Sequence, residues 1–322
     1  MKQTRRKKIR HRLEYLAFRM VVSTISAMSP QVCFSLARVM AIFVHRIIPK
    51  NINRYQVAYE NLKIAFGDDL SEGQIDRTIF AMWLHLFRMV TEIVHLPRKL
   101  RLENCSDYVQ FRNREHSVKA LCSGRPVLML SGHFGNWEMA TALFGIFGFH
   151  MGVVARDLDN PFLHEWFRKW RERTGHFTIS KKGGGSEMVE TLEQGGTLAL
   201  LCDQDAGKKG LFVPFFGRDA STYKSIALLA MQYDAFICVG YAKRLPFRYS
   251  EHRWVRYEMG CEEVIDPRDF NSPDAIREMT LRYSQALERV VRRSPEQYFW
   301  VHRRWKNQPK AKRKRLQEKK AA

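Results

Sequence analysis

The chain has 322 residues and 45% hydrophobic content, which excludes an intrinsically disordered protein and is enough for one large domain with an appended helical part. Its formal net charge of +21 comes from 54 Lys and Arg against 33 Asp and Glu, but +7 lies in residues 2–12 and +9 in 303–320, leaving about +5 between them. A charge excess confined to two ends, without a helix-turn-helix, zinc-finger or aromatic ribonucleoprotein pattern, argues against nucleic acid and suits an anionic membrane surface.

Residues 1–50 read as a basic leader followed by an apolar helical segment. No charged residue falls between Arg19 and Arg38, a length that suits a spanning helix. Ser23, Thr24, Ser26, Ser29, Gln31 and Ser35 dilute that run, and Pro30 interrupts it. Two helices meeting near Pro30 and lying in the membrane interface, with Arg19, Arg38 and Arg46 reaching the headgroups, fit at least as well. A hairpin packed on the main domain is the alternative. No compact apolar core with a small-residue cleavage site marks a signal peptide.

Asn53–Phe66 and Ser71–His95 are helical in pattern. Ser71 with Gln74 forms a capping box, and Ile75, Ile79, Met82, Leu86, Met89 and Ile93 recur at three and four to give one buried face. From Val127 the chain alternates short apolar runs with helical stretches. Val127–Leu130, Met151–Ala155, Thr197–Cys202 and Phe236–Tyr241 read as strands, with Trp254–Met259 as a further candidate. Glu138–Phe147, Pro161–Thr174, Glu187–Gln194, Tyr223–Tyr233 and Ser272–Arg293 read as helices. This alternation predicts an α/β sheet flanked by helices, in which ligands gather beyond the carboxyl ends of the strands.

Three chemical groups follow consecutive predicted strands. His133 stands just past the first, in Ser-Gly-His-Phe-Gly-Asn-Trp-Glu, with Glu138 on the first turn of the next helix. A carboxylate on one imidazole nitrogen sets the tautomer and makes the other nitrogen a better base; by spacing alone, such residues are more often a loop pair or a helix N-terminal carboxylate than a dyad. Arg156 follows the second strand, a cation for phosphate or an oxyanion, or a partner for Asp157 or Asp159. Asp203-Gln204-Asp205 follows the third and reads as a positioning and hydrogen-bonding group rather than a metal site. Lys208-Lys209-Gly210 is a basic loop that either meets an anionic headgroup or carrier or serves as an ordinary turn.

Lys181-Lys182-Gly183-Gly184-Gly185-Ser186 lacks the spacing of a phosphate-binding loop, and no Gly-x-Gly-x-x-Gly or Gly-x-Ser-x-Gly occurs. The six cysteines show no Cys-x-x-Cys spacing and read as buried thiols. Phe212-Val213-Pro214-Phe215-Phe216-Gly217 either lines an acyl groove or closes the core. Tyr298-Phe299-Trp300 and His302-Arg303-Arg304-Trp305-Lys306 suit a membrane interface or a segment turned inward. The tail over 307–322 is expected to be disordered.

Gly132-His133-Phe134-Gly135-Asn136-Trp137-Glu138, Arg156 in Ala-Arg-Asp-Leu-Asp-Asn-Pro, Asp203-Gln204-Asp205 ahead of Phe212–Gly217, and Pro295–Lys306 occur in the order seen in the lipid A late acyltransferases of Gram-negative bacteria, which the chain resembles from about Tyr55 to Lys306. The resemblance implies a central mixed sheet flanked by helices, similar to the glycerol-3-phosphate acyltransferase type. It places membrane-associated helices in 1–50 and an acyltransferase domain in 51–306. The implied reaction moves a fatty acyl group from acyl carrier protein, or another acyl thioester, to a hydroxyl of an anionic glycolipid such as a lipid A precursor. His133 would be the general base and Glu138 its orienter, with Arg156, Asp203, Gln204, Asp205, Asn136 and Lys208 contacting substrate. No metal or cofactor is implied, and the expected location is the cytoplasmic face of the bacterial inner membrane. The alternatives are an acyltransferase acting on another glycolipid or lysophospholipid, and a non-enzymatic peripheral lipid-binding protein.

Overall fold

A computed structural model describes residues 5–246 and 254–309. The basic leader is therefore seen from Arg5 onward, and the expected disordered tail lies outside the described residues from position 310. In chain order the elements are α1 (Arg5–Ala27), α2 (Pro30–Ile42), α3 (Tyr55–Phe66), α4 (Glu72–Lys99), α5 (Cys105–Tyr108), β1 (Val109–Arg112), α6 (Arg114–Leu121), β2 (Val127–Ser131), α7 (Trp137–Ile146), β3 (Gly152–Ala155), α8 (Pro161–Glu172), β4 (Phe177–Ser180) and α9 (Gly185–Glu193). There follow β5 (Thr197–Leu201), β6 (Leu211–Phe215), β7 (Arg218–Thr222), α10 (Lys224–Gln232), β8 (Phe236–Arg244), β9 (Tyr257–Ile265) and α11 (Ala275–Arg293).

Seven strands form one mixed sheet in the order β1-β9-β8-β2-β5-β3-β4. From β8 to β4 the neighbours run parallel, β9 is antiparallel to β8, and β1 is parallel to β9. The run Val127–Leu130 is apolar at every position because β2 is central and covered on both faces, as parallel strands are. Leu128 and Leu130 join a core with α10 and α11, whereas Val127 and Met129 pack beside α6. Strand β2 sits between β5 and β8, so the chain departs from it to one side and returns on the other. Such a reversal opens a crevice at the carboxyl ends of the strands.

The five strands read in the sequence are present, β9 starting at Tyr257 rather than Trp254. Strands β1 and β4 are four residues long and carry too little alternation to be read. The Phe212–Gly217 stretch forms strand β6 and the turn that leads to its hairpin partner β7, with Val213, Phe215 and Phe216 buried in the core. Tyr298, Trp300, Val301 and Trp305 are likewise buried, so the C-terminal aromatic segment is turned inward.

Ser29 caps α2, with Pro30 at its first turn, where a missing N–H costs nothing. The N-terminal segment is thus two helices, and both carry large apolar side chains outward: Leu13, Leu16 and Met20 on α1, and Val32, Leu36 and Val39 on α2, are all exposed. Among the described residues, only α4 is long and apolar enough to cross a membrane; 44% of its apolar window is buried inside the molecule, where it packs against α2, α3 and α7.

Candidate functional site

His133 lies two residues beyond β2, and Asp203 two residues beyond β5; the two strands are hydrogen-bonded neighbours in register from Val127–Thr197 to Ser131–Leu201. The parallel pairing brings the two loops side by side. Asp203 Oδ1 lies 2.8 Å from His133 Nδ1, and Oδ2 accepts a 2.8 Å hydrogen bond from the His133 backbone N–H. The His133 side chain keeps 18% of its surface exposed, while that of Asp203 is fully enclosed.

Burial disfavours the imidazolium, but the charge and hydrogen bond of Asp203, with a smaller contribution from Glu138, outweigh it and raise the His133 pKa. Burial also works against the Asp203 carboxylate. The facing His133 ring and its hydrogen bonds nevertheless hold that group well below the usual carboxylate range. Nδ1–H is therefore the donor to an ionised Asp203, and Nε2 remains as the basic nitrogen.

The expected partner of His133 was Glu138. Its two carboxylate oxygens instead accept bonds of 2.6 and 3.0 Å from Arg171 on α8, and among the described residues it makes no hydrogen bond to His133. The reason is geometric: α7 begins at Trp137 and points the Glu138 side chain toward α8, while the Trp137 ring packs edge-on to His133 at 5.1 Å.

His133, Glu138, Arg156 and Gln204 line one cavity of about 670 Å³ at the carboxyl ends of β2, β3 and β5. Arg168, Arg171 and Lys181 also reach it. Much of the remaining lining is apolar, including Met129, Phe144, Met151, Ala199, Met188 and Ile226. The cavity lining is thus amphiphilic, combining cations and the His133 ring with hydrocarbon walls. Exposed Arg156 makes no ion pair among the described residues, so neither Asp157 nor Asp159 takes its charge.

Three expected substrate contacts lie elsewhere. Asn136 is fully buried: its Oδ1 caps α7 through the Met139 N–H, and its Nδ2 donates to Glu92 at 3.0 Å and the Tyr257 hydroxyl at 3.2 Å. Asp205 accepts from the Gly207 N–H and, at 2.6 Å, from Asn307, which closes its own turn and anchors the C-terminal segment. Lys208 stands exposed on the following turn and does not line the cavity.

Beneath the His133 loop is a buried polar network that periodicity alone did not reveal. Arg244 on β8 donates to Glu92 on α4 at 2.6 and 2.9 Å and lies 2.7 Å from His85 Nδ1, while His85 Nε2 faces the Gly135 carbonyl at 3.0 Å. The Tyr257 hydroxyl donates to the same Glu92 carboxylate. Burial, then the Arg244 charge, push the His85 pKa well down, which suits a neutral ring donating from Nε2 and accepting at Nδ1. The available signal was two ionisable residues, His85 and Glu92, seven apart on the apolar face of α4.

The same loop is fastened from the C-terminal segment. Phe299 N–H donates to the His133 carbonyl at 3.0 Å, Gly135 N–H to Gln297 O at 2.9 Å, and Asn61 donates to the carbonyls of Trp300 and His302. Gly135 has φ +57°, and a Cβ there would lie 1.9 Å from the Ala242 carbonyl oxygen. The backbone after His133 is held on all sides. Among the described residues no group of His, Cys, Asp or Glu is arranged to hold a metal ion.

A family model for bacterial lipid A biosynthesis acyltransferases matches residues 2–307. The chain is 25% identical over 198 residues to the lipid A biosynthesis lauroyltransferase of Escherichia coli (strain K12), which covers 61% of each protein. To the palmitoleoyltransferase of the same organism it is 25% identical over 194 residues, 59% of each. It is also 29% identical over 126 residues to a phosphatidylinositol mannoside acyltransferase of Mycolicibacterium smegmatis, 38% of this chain and 41% of that protein. The matched stretch spans about three-fifths of the lipid A relatives' length.

Proposed function

This chain belongs to the bacterial lipid A biosynthesis acyltransferase family, and we propose that it transfers a fatty acyl group from a thioester of acyl carrier protein to a hydroxyl of a phosphorylated glycolipid of the lipid A type. The observation that carries this reading is the His133–Asp203 pair in the mouth of an amphiphilic cavity. Nε2 of His133 takes the proton of the acceptor hydroxyl as that oxygen attacks the thioester carbonyl. The carbon–sulfur bond breaks, and the proton passes to the departing thiolate. Asp203 holds the ring and stabilises the transient imidazolium; no covalent acyl-enzyme is needed.

Arg156 and Lys181, both in the cavity lining, suit an acceptor phosphate or the developing oxyanion. Glu138, held by Arg171, adds negative charge near His133 and orders that wall of the cavity. The apolar walls suit the acyl chain. Acyl carrier proteins are acidic, so the exposed Lys208 turn is a fitting place for the donor to approach. The outward apolar faces of α1 and α2, beside a basic leader, suit attachment to the inner membrane at its cytoplasmic face. The likeness to a phosphatidylinositol mannoside acyltransferase makes another glycolipid the second reading for the acceptor.

The test is transfer of labelled acyl groups from acyl carrier protein, in detergent, to a panel containing a phosphorylated lipid A precursor, its dephosphorylated form, a mannosylated phosphatidylinositol and a lysophospholipid. Preference for the phosphorylated precursor supports the reading. Preference for the mannoside or the lysophospholipid replaces the acceptor, and inactivity with every acceptor overturns acyl transfer.

A further inference from the structure

Helix α8 is a wall with two faces. His164, Phe167, Arg168 and Arg171 look into the cavity of His133, while the opposite face of the helix meets α1. Asn160 fastens the two helices by donating to the His11 carbonyl and to Glu14, both at 2.9 Å, and Phe18 packs edge-on to Trp166 at 4.8 Å. Between them lies a second cleft of about 590 Å³.

Its rim carries three cations, Arg19 from α1 and Lys169 and Arg173 from the end of α8, all exposed. The one carboxylate in the lining, Glu165, is already engaged by Arg168 at 2.7 Å and Lys169 at 3.4 Å, so the rim has an excess of two positive charges. Tyr15 and Trp166 supply aromatic walls. Trp170 also lines the cleft; the residue is 8% exposed and its indole N–H has no hydrogen-bond partner among the described residues. Buried donors are rarely left unpaired without a reason. The same helix α1 carries the exposed apolar Leu13, Leu16 and Met20.

Cations, aromatic rings and an idle N–H, next to outward hydrocarbon, form a site for an anion that carries acyl chains. We propose that the α1–α8 cleft binds the phosphodiester headgroup of an anionic membrane phospholipid, separate from the acceptor site on the other side of α8. This rests on the membrane attachment proposed above. Arg19, Lys169 and Arg173 hold the phosphate, Trp170 donates to a phosphate or glycerol oxygen, and the lipid tails run along α1.

Binding of monomeric dihexanoylphosphatidylglycerol, below its micelle concentration, is measured by calorimetry on the full chain. Dihexanoylphosphatidylcholine, glycerol 3-phosphate and inorganic phosphate serve as separate ligands. The expected result is saturable binding of the phosphatidylglycerol, weakened at least about tenfold in the variant with Arg19→Ala, Lys169→Ala and Arg173→Ala together. A control variant with Arg5→Ala, Arg6→Ala and Lys7→Ala loses the same charge from α1 and should bind as the wild type does. Trp170→Phe should weaken binding without changing acyl transfer in detergent.

Equal loss in both triple variants would reduce the effect to general electrostatics and overturn the site. Equally tight binding of inorganic phosphate would overturn the lipid assignment. If wild type and cleft variant bind phosphatidylglycerol alike while vesicle attachment persists, the cleft fails and the membrane reading stands; if wild type attaches to no vesicle, both fail.

Discussion

Asp203 grips His133 at two points, with Oδ1 2.8 Å from the ring Nδ1 and Oδ2 2.8 Å from the backbone N–H. A single carboxylate therefore sets both the tautomer of the ring and the place of the loop that carries it. Nitrogen NMR of the labelled protein should show Nδ1 protonated in the wild type and in Glu138→Gln. In Asp203→Asn the ring should become a mixture of tautomers. An unchanged ring in Asp203→Asn, with a changed one in Glu138→Gln, would return the orienting role to Glu138.

The pH profile follows from the same pair. A general base works neutral, so kcat/KM should fall as pH drops through the His133 pKa. Burial lowers that pKa, and the stronger combined pull of Asp203 and Glu138 raises it above 6.5, so the acid limb should lie above that value. Asp203→Asn removes the leading raising cause and leaves the burial, so the residual activity should show its limb at lower pH. A limb that stays in place would mean that another group titrates.

The motif around His133 was legible because its residues are contiguous and the strand before it is a plain apolar run. The identity of its carboxylate was not. Glu138 is five residues away in the chain, and Asp203 is seventy; only the β2–β5 pairing makes the distant one the neighbour. Spacing along the chain cannot rank two carboxylates when a sheet decides which meets the ring. The same holds for Asn136, which stands in the motif yet serves as a helix cap over Glu92. Arg171 reaches the cavity from α8, where nothing in the local pattern marks it, and Lys181 from just past β4, in a Lys-Lys-Gly stretch that lacks phosphate-loop spacing. Helices α3, α4 and α11, by contrast, follow their apolar periodicity closely.

Gly135→Ala should be among the most damaging single-methyl changes in the protein. The added carbon meets the Ala242 carbonyl oxygen at 1.9 Å in a left-handed backbone, so relief requires moving the loop off β8. A loss of about 3 kcal/mol or more is expected in chemical denaturation. A melting curve like that of the wild type would show that the loop can shift freely, against the network described here.

Glu92 and Arg244 form a buried ion pair whose partners include His85, Tyr257 and Asn136. Removing one charge strands the other, so Glu92→Leu or Arg244→Met alone should cost about 3–5 kcal/mol. The double variant should cost less than either single one, because no charge is left buried. Simple additivity of the two losses would contradict the pairing.

Arg156→Ala and Lys181→Ala should raise KM for a phosphorylated acceptor by about tenfold and leave KM for its dephosphorylated form nearly unchanged. Both residues line the cavity, and Lys181 also bonds the Tyr223 hydroxyl at 3.1 Å. Equal effects on both acceptors would move these cations away from the phosphate.

The most direct test of the central claim is the single-turnover rate of acyl transfer from acyl carrier protein to a phosphorylated lipid A precursor, for wild type beside His133→Ala. The account predicts measurable transfer by the wild type and a loss of about a hundredfold or more in the variant, at a temperature where circular dichroism shows both to be folded. Transfer by His133→Ala at the wild-type rate would contradict it and place the base elsewhere in the cavity.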